Sequence, residues 1–371
     1  MRKSDSSGDP RGSAATGEAT TESLSLGLIA DSPTFPGAWS DVLENVRLAD
    51  RLGFDSVWLG EAWGYELFTS LTDLVRVTTR MKIGAGVANV FSRSPAVIAS
   101  AIATLDERSD GRMVLGLGSS GPNVVEHWHG VPFDRPIQRL REYVAIIEMI
   151  LRREKLVYHG DVFHLDRGFT LRFRPPREKI PIYLASLAPK SVDLAGEVAD
   201  GILPIHWPSS DFPSLRTQLD ASSVGAGRAP RVTRIAPYVT AVVVSTEEER
   251  EVARRRARGP LAFYVGRMGT FYASMLRRHG FAEEVEAIVR GWERSRDQAL
   301  EAVSDRLLDA TSVVGTPDEI VATLRVWRRL GVDEPLITMP SGRPDRVGPI
   351  LESVARAAQL GAPEMSGSPE R

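Results

Sequence analysis

The chain has 371 residues, 42% hydrophobic and 25% charged, with a formal net charge of -2 and no cysteine. That length allows a core large enough to need no staples, and the missing thiols exclude disulfides, thiolate metal sites and cysteine nucleophiles. The near-zero charge gives no whole-molecule field for nucleic acid or acidic membranes, and a cysteine-free chain fits a reducing cytoplasm.

The opening stretch MRKSDSSGDPRGSAATGEATTES is polar and has no apolar run. It reads as a disordered tail over residues 1–22 and not as a signal peptide. From Leu24 onward, short apolar runs alternate with longer amphipathic ones. LSLGLIA, DSVWLG, MKIGAGV and RMVLGLG read as strands. Their nearly continuous apolar character predicts a parallel sheet buried on both faces. Between them, AWSDVLENVRLADRLG reads as a helix ending at Gly53, SLTDLVRVTTR as a second, and SPAVIASAIATLDERSDG as a third with a glycine stop.

REYVAIIEMILRRE follows as a helix, and LVYHGDVFHL as an inserted hairpin around His159-Gly160-Asp161. PIYLAS, ILPI and IAPYVTAVVVS are the next strands, with the helix KSVDLAGEVADG between the first two. The stretch from Pro260 to Ala310 reads as extra helical material, before the last strand PLITMP and a closing helix. RRRAR (Arg254 to Arg258) follows Glu247 to Glu251 and reads as a solvated helix face paired i,i+4. No run reaches the ~18 apolar residues of a membrane span. Eight strands, each followed by a helix, predict a closed (β/α)8 TIM barrel with insertions. Residues 23–361 form its single domain, and residues 362–371 a second tail.

Active sites of such barrels lie at the carboxyl ends of the strands. That rule selects Asp31 after the first strand, Glu61 and Trp63 after the second, and Gly86, Val87, Ala88 and Asn89 at the third. It adds Ser119 and Ser120 at the fourth, Ala185, Ser186, Leu187 and Ala188 at the fifth, and His206 and Trp207 at the sixth. These are mostly small residues, backbone amides and aromatics, a floor suited to a flat cofactor that brings its own chemistry. At the fifth strand end, Lys190 opens a helix whose first N-H groups favour an anion, or else sits on a plain strand-helix turn.

The run NVFSRSPAVIASAIATLDERSDGRMVLGLGSSGPNVVEHWHG resembles the luciferase-like monooxygenase superfamily, in its branch that uses the deazaflavin coenzyme F420. PIYLASLAPKSVDLAGEVADGILPI resembles the same branch, and the likeness runs from about Leu24 to Leu360. It implies a (β/α)8 barrel, usually a homodimer, with the cofactor across the strand ends. It also implies a β-bulge with a non-prolyl cis peptide at Gly86-Val87 that backs the central ring, with Ala88 and Asn89 alongside. By the same likeness Glu61, Ser119 and Ser120 fall at cofactor contacts, and Ala185, Ser186, Leu187 and Ala188 match the turn gripping the phosphodiester side chain. Ala188 stands where many relatives have Gly. Ala62 stands where several F420-dependent relatives use a His, which argues against a His-dependent mechanism.

The activity implied is hydride transfer between F420 and a small organic substrate. The alternatives are an FMN-dependent monooxygenase on the same barrel and a non-catalytic cofactor-binding paralogue. Glu61, beside Trp63, is either the group that manages the accompanying proton or a carboxylate hydrogen-bonded to a barrel amide. Arg93 either contacts an acidic part of the cofactor or substrate or caps the helix opened by Pro95. His206 and Trp207 either line the substrate side or are structural, and Phe263, Tyr264, Phe271 and Tyr272 read as core by helical spacing. In EHWHG, His127 and His129 point to different faces of a helix with no third ligand near, so no metal is assigned, and Trp128 reads as core.

Overall fold

Strands covered on both sides have no face turned to water, and the runs GLIA, SVWL and MVLGLG are accordingly buried along their whole length. The computed structural model describes residues 24–30 and 37–361; the two predicted tails and Asp31 lie outside the described residues. The strands are β1 (Gly27–Ala30), β2 (Ser56–Leu59), β3 (Lys82–Asn89), β4 (Met113–Gly118), β5 (Leu156–His159) and β6 (His164–Phe169). They continue with β7 (Ile182–Leu184), β8 (Gly201–Ile202), β9 (Arg234–Ile235), β10 (Tyr238–Val243), β11 (Ser312–Gly315) and β12 (Leu336–Thr338). Ten form one parallel sheet in the order β11-β10-β12-β1-β2-β3-β4-β7-β8-β9, while β5 and β6 make the predicted antiparallel hairpin.

The sheet curls. β9 pairs with β8 and β10 with β12, yet only Ala236 and Pro237 separate β9 from β10. Pro237 has no N-H for the ladder, which divides the predicted strand IAPYVTAVVVS in two. SVVG, which is not among the predicted strands, forms β11 beside β10. Ten strands therefore stand where eight are expected, because one is split by proline and one is too short to show a period.

Inside the curl, Ile29, Trp58, Val114, Tyr183, Leu203, Ala236 and Leu336 form their own apolar cluster, with Val87 and Tyr238 packed against it. Their neighbours on the strands, such as Leu28, Val57 and Leu115, belong to the larger cluster under the helices. This is the period-two alternation of a strand between two apolar layers. The helices Ala38–Leu52, Leu67–Val77, Pro95–Arg108, Pro136–Leu151 and Pro189–Val198 follow their strands as predicted. Gly53 ends the first of them at φ 94, a left-handed stop that a Cβ would strain.

The extra helical material begins at Arg250, earlier than the predicted Pro260, and comprises Arg250–Arg267, Phe271–Arg278, Ala282–Arg294, Arg296–Glu301 and Asp305–Thr311. The arginine run is held by tertiary ion pairs and not by i,i+4 pairs. Arg254 and Arg258 both reach Asp305 at 2.7 Å, and Arg254 also reaches Asp309 at 2.8 Å. These contacts fix the part of the helix that precedes Pro260. No described helix is long and apolar enough to cross a membrane.

Candidate functional site at the strand ends

The ladder between β3 and β4 slips between Ala85 and Ala88, and the Gly86-Val87 peptide is cis, the arrangement the resemblance implies. The neighbours of this bulge explain its glycines. A Cβ on Gly84 would come 2.1 Å from the Trp58 ring, and one on Gly86 would come 1.8 Å from Tyr238 Oη. Tyr238 Oη donates to the Gly86 carbonyl at 2.7 Å. On β4, a Cβ on Gly118 would come 2.6 Å from Val87. The bulge thus rests on aromatic rings inside the curl, and small residues on the next strand accept its side chain.

Glu61 holds the far side. Its Oε2 accepts the Asn89 N-H at 2.9 Å, and its Oε1 pairs with Arg93 Nη1 at 2.6 Å. With its side chain 8% exposed, this carboxylate is committed to the bulge backbone and to one cation. The bond to a barrel amide that one of the two sequence readings gives it is present. Arg93 also pairs with Glu66, and its carbonyl accepts from Tyr143 Oη at 2.6 Å. Burial works to raise the Glu66 carboxyl, but hydrogen bonds from Thr69 and the charge of Arg93 hold it below its ordinary value. The helix cap expected of Arg93 belongs instead to Ser94, whose Oγ accepts the Val97 N-H at 3.3 Å. Trp63 lies beyond Glu61 and is 49% exposed.

At the end of β4, Ser120 adopts φ 55, and Ser119 Oγ donates to the Ser120 carbonyl at 3.2 Å. At the end of β7, Ala185 N donates to the Leu117 carbonyl at 2.9 Å, which ties this turn to β4. Ser186 is buried, and its hydroxyl has no protein partner. The Ser191 hydroxyl closes the following turn, accepting from Ala188 N at 3.2 Å and donating to Ala188 O at 2.8 Å. Lys190 is exposed at the start of the helix Pro189–Val198. A second cation stands there that the sequence does not signal. Arg278, from the extra helices, donates to the Leu187 carbonyl at 2.7 Å.

Because β2, β3, β4 and β7 are consecutive in the sheet, Glu61, Gly86 to Asn89, Ser119, Ser120 and Ala185 to Ala188 lie along one continuous edge. Tyr238 and Arg278, which reach this edge from afar, are the residues that sequence reasoning misses. His127 and Trp128 are exposed, Trp128 by 62%, so Trp128 is not core as expected; the helix Pro122–His127 is too short to bury it. Among the described residues no group of three or more His, Asp or Glu side chains is placed to hold a metal. Phe271 is 39% exposed and not core as expected, while Phe263, Tyr264 and Tyr272 are half-buried against one another.

A curled parallel sheet whose carboxyl edge carries a backbone bulge and small residues defines an α/β protein of this architecture. The chain belongs to the luciferase-like monooxygenase family, whose model matches residues 17–334. A Mycobacterium tuberculosis protein, named as an inferred coenzyme F420-dependent oxidoreductase, is 33% identical over 314 residues, 80% of this chain and 90% of its own. A 5,10-methylenetetrahydromethanopterin reductase from Archaeoglobus fulgidus is 32% identical over 308 residues, 81% of this chain and 90% of its own. The coenzyme F420-dependent tetrahydromethanopterin reductase of Methanopyrus kandleri shares the fold at a TM-score of 0.76, with 24% identity over 90% of this chain and 97% of that one.

Proposed function

We propose that the protein is a coenzyme F420-dependent oxidoreductase that transfers a hydride between F420 and a small organic substrate. The observation that carries this reading is the 33% identity, over four-fifths of the chain, to the M. tuberculosis protein of that name. Coenzyme F420, when bound, supplies two-electron hydride chemistry. The residues at the strand ends fit such a group. The bulge at Gly86, Val87, Ala88 and Asn89 offers backbone to a ring face, and the partnerless Ser186 hydroxyl offers a buried hydrogen bond. Lys190 and Arg278 flank the turn at Ala185 to Ala188, where an anionic side chain would be held with the help of the helix N-terminus. Ser119 and Ser120 would complete the contact from β4.

In this reading Glu61 is a positioning residue. It fixes the Asn89 amide, and with it the bulge, directly, while Arg93 holds its other carboxylate oxygen. Trp63 would border the open side. The parallel strands would act as an eight-membered barrel in which β9 and β10 serve as one strand and β11 is an addition. We take residues 23–361 as one domain, working as a cytoplasmic homodimer.

The test is titration of the protein with oxidised F420 and, separately, with FMN, read by cofactor fluorescence. F420 is expected to bind in the micromolar range and FMN far more weakly. Tight FMN binding with no response to F420 would replace this reading with the FMN-dependent monooxygenase. F420 binding without turnover of any enone, imine, ketone or alcohol would favour the non-catalytic paralogue. In the same titration, joint charge reversal by Lys190→Glu and Arg278→Glu is expected to weaken F420 binding by about tenfold or more, since it replaces attraction with repulsion at an anion site. Unchanged affinity would remove these cations from the site.

A further inference from the structure

Beyond the cofactor edge, the end of β8 carries buried polar atoms that the protein leaves unsatisfied. His206, which follows β8 by way of Leu203, Pro204 and Ile205, is 2% exposed and adopts φ 54. Neither of its ring nitrogens has a hydrogen-bond partner in the protein. A left-handed backbone at a non-glycine residue and a desolvated imidazole without partners each cost free energy. Their retention together marks a place where something outside the chain completes the bonding.

The surroundings say what that something is. The Tyr264 ring lies 5.2 Å from the imidazole and the Tyr272 ring 6.5 Å, both brought by the extra helices. Trp207, next in the chain, is buried with its indole N-H unpartnered. Its other face meets His279 at 4.6 Å, and His279 is already paired with Asp211 at 2.8 Å. Burial holds the His206 imidazole down at about 4 and pushes the Tyr272 phenol up, so both are neutral at ordinary pH. The place also adjoins the bulge. Ile205 pairs with Tyr238, whose hydroxyl carries the Gly86 carbonyl, and β8 pairs with β7, whose end holds the Ser186 hydroxyl.

We propose that the substrate is recognised here through an uncharged hydrogen-bonding group, a carbonyl, hydroxyl or amide, taken by the ring nitrogens of His206 between Tyr264 and Tyr272. This rests on the reading that the adjoining strand ends hold F420. A carboxylate or phosphate is disfavoured at the position, because its charge and the proton His206 would need to pair with it must both be buried. His206 is then a specificity residue, and a substrate lacking the polar group leaves the imidazole unpaired.

The experiment uses protein labelled with 15N-histidine, with and without F420, titrated with 2-cyclohexen-1-one and with cyclohexanecarboxylate. His206→Asn assigns the ring resonance and suits the left-handed backbone. Cyclohexenone is expected to shift the His206 ring nitrogens. Its affinity should fall about tenfold in His206→Asn, the loss of one well-made hydrogen bond to a buried group, while F420 affinity stays unchanged. Tyr272→Leu removes the flanking ring and is expected to weaken cyclohexenone severalfold, and it carries the test if His206→Asn does not fold. Failure of cyclohexenone to bind, an unshifted imidazole, unchanged affinity in the variants, or equal or tighter binding of cyclohexanecarboxylate would each overturn the proposal. If F420 does not bind while cyclohexenone still shifts His206, the cofactor reading fails and the recognition site stands.

Discussion

Replacing Gly116 by alanine is expected to destabilise the protein by about 3 kcal/mol, at the upper end of the usual cost of overpacking. The added Cβ would come 2.2 Å from the Ala85 carbonyl, a backbone atom of the neighbouring strand, and 2.9 Å from Leu203 Cδ1. A flexible side chain could swing away, but Ala85 is held in register by β2 on one side and β4 on the other. Relief would require β3 to move where the bulge begins, so F420 affinity is expected to fall with stability. Urea unfolding beside the cofactor titration reads both. Gly225→Ala is the control, because a Cβ there meets nothing within 4 Å and its helical backbone gains from alanine. A Gly116→Ala variant with an unchanged urea midpoint would show that β3 is free to yield at Ala85.

Glu61→Ala is expected to have a comparable effect by a different route. It leaves the Asn89 N-H without its acceptor and removes one of the two carboxylates that Arg93 bridges. Truncating one partner of a buried ion pair costs roughly 3–5 kcal/mol. Glu66 remains for Arg93, so the lower end, about 3 kcal/mol, is expected. Glu61→Gln keeps an acceptor of the same shape and should lose less. Activity and stability should fall together across the two variants, because the residue acts through the bulge. A Glu61→Ala protein as stable as the parent, with intact F420 binding and no turnover, would instead make Glu61 the group that handles the proton.

How much of this was legible in the chain depends on the distance over which each feature is decided. LSLGLIA, DSVWLG and RMVLGLG announce buried parallel strands within a few residues, and Gly53 stops its helix by local conformation alone. The hairpin around His159-Gly160-Asp161 is local as well. Motif likeness added the F420 branch and the position of the bulge. SVVG was hidden because four residues carry no period, and Trp128 was misjudged because aromatic character does not say which way a short helix faces.

The sequence by itself determined the α/β class, the order of most of the elements and the small-residue floor at the strand ends. Periodicity, glycine placement and composition suffice for these. The tertiary structure alone decided what each floor residue touches. Tyr238 reaches Gly86 across 152 residues of chain, Arg278 reaches Leu187 across 91, and Glu61 reaches the Asn89 amide across 28. Such contacts depend on how the sheet curls and on which strands become neighbours. The same holds for His206, which is an ordinary histidine in the sequence and becomes a buried, unpartnered one only when the extra helices close over the end of β8.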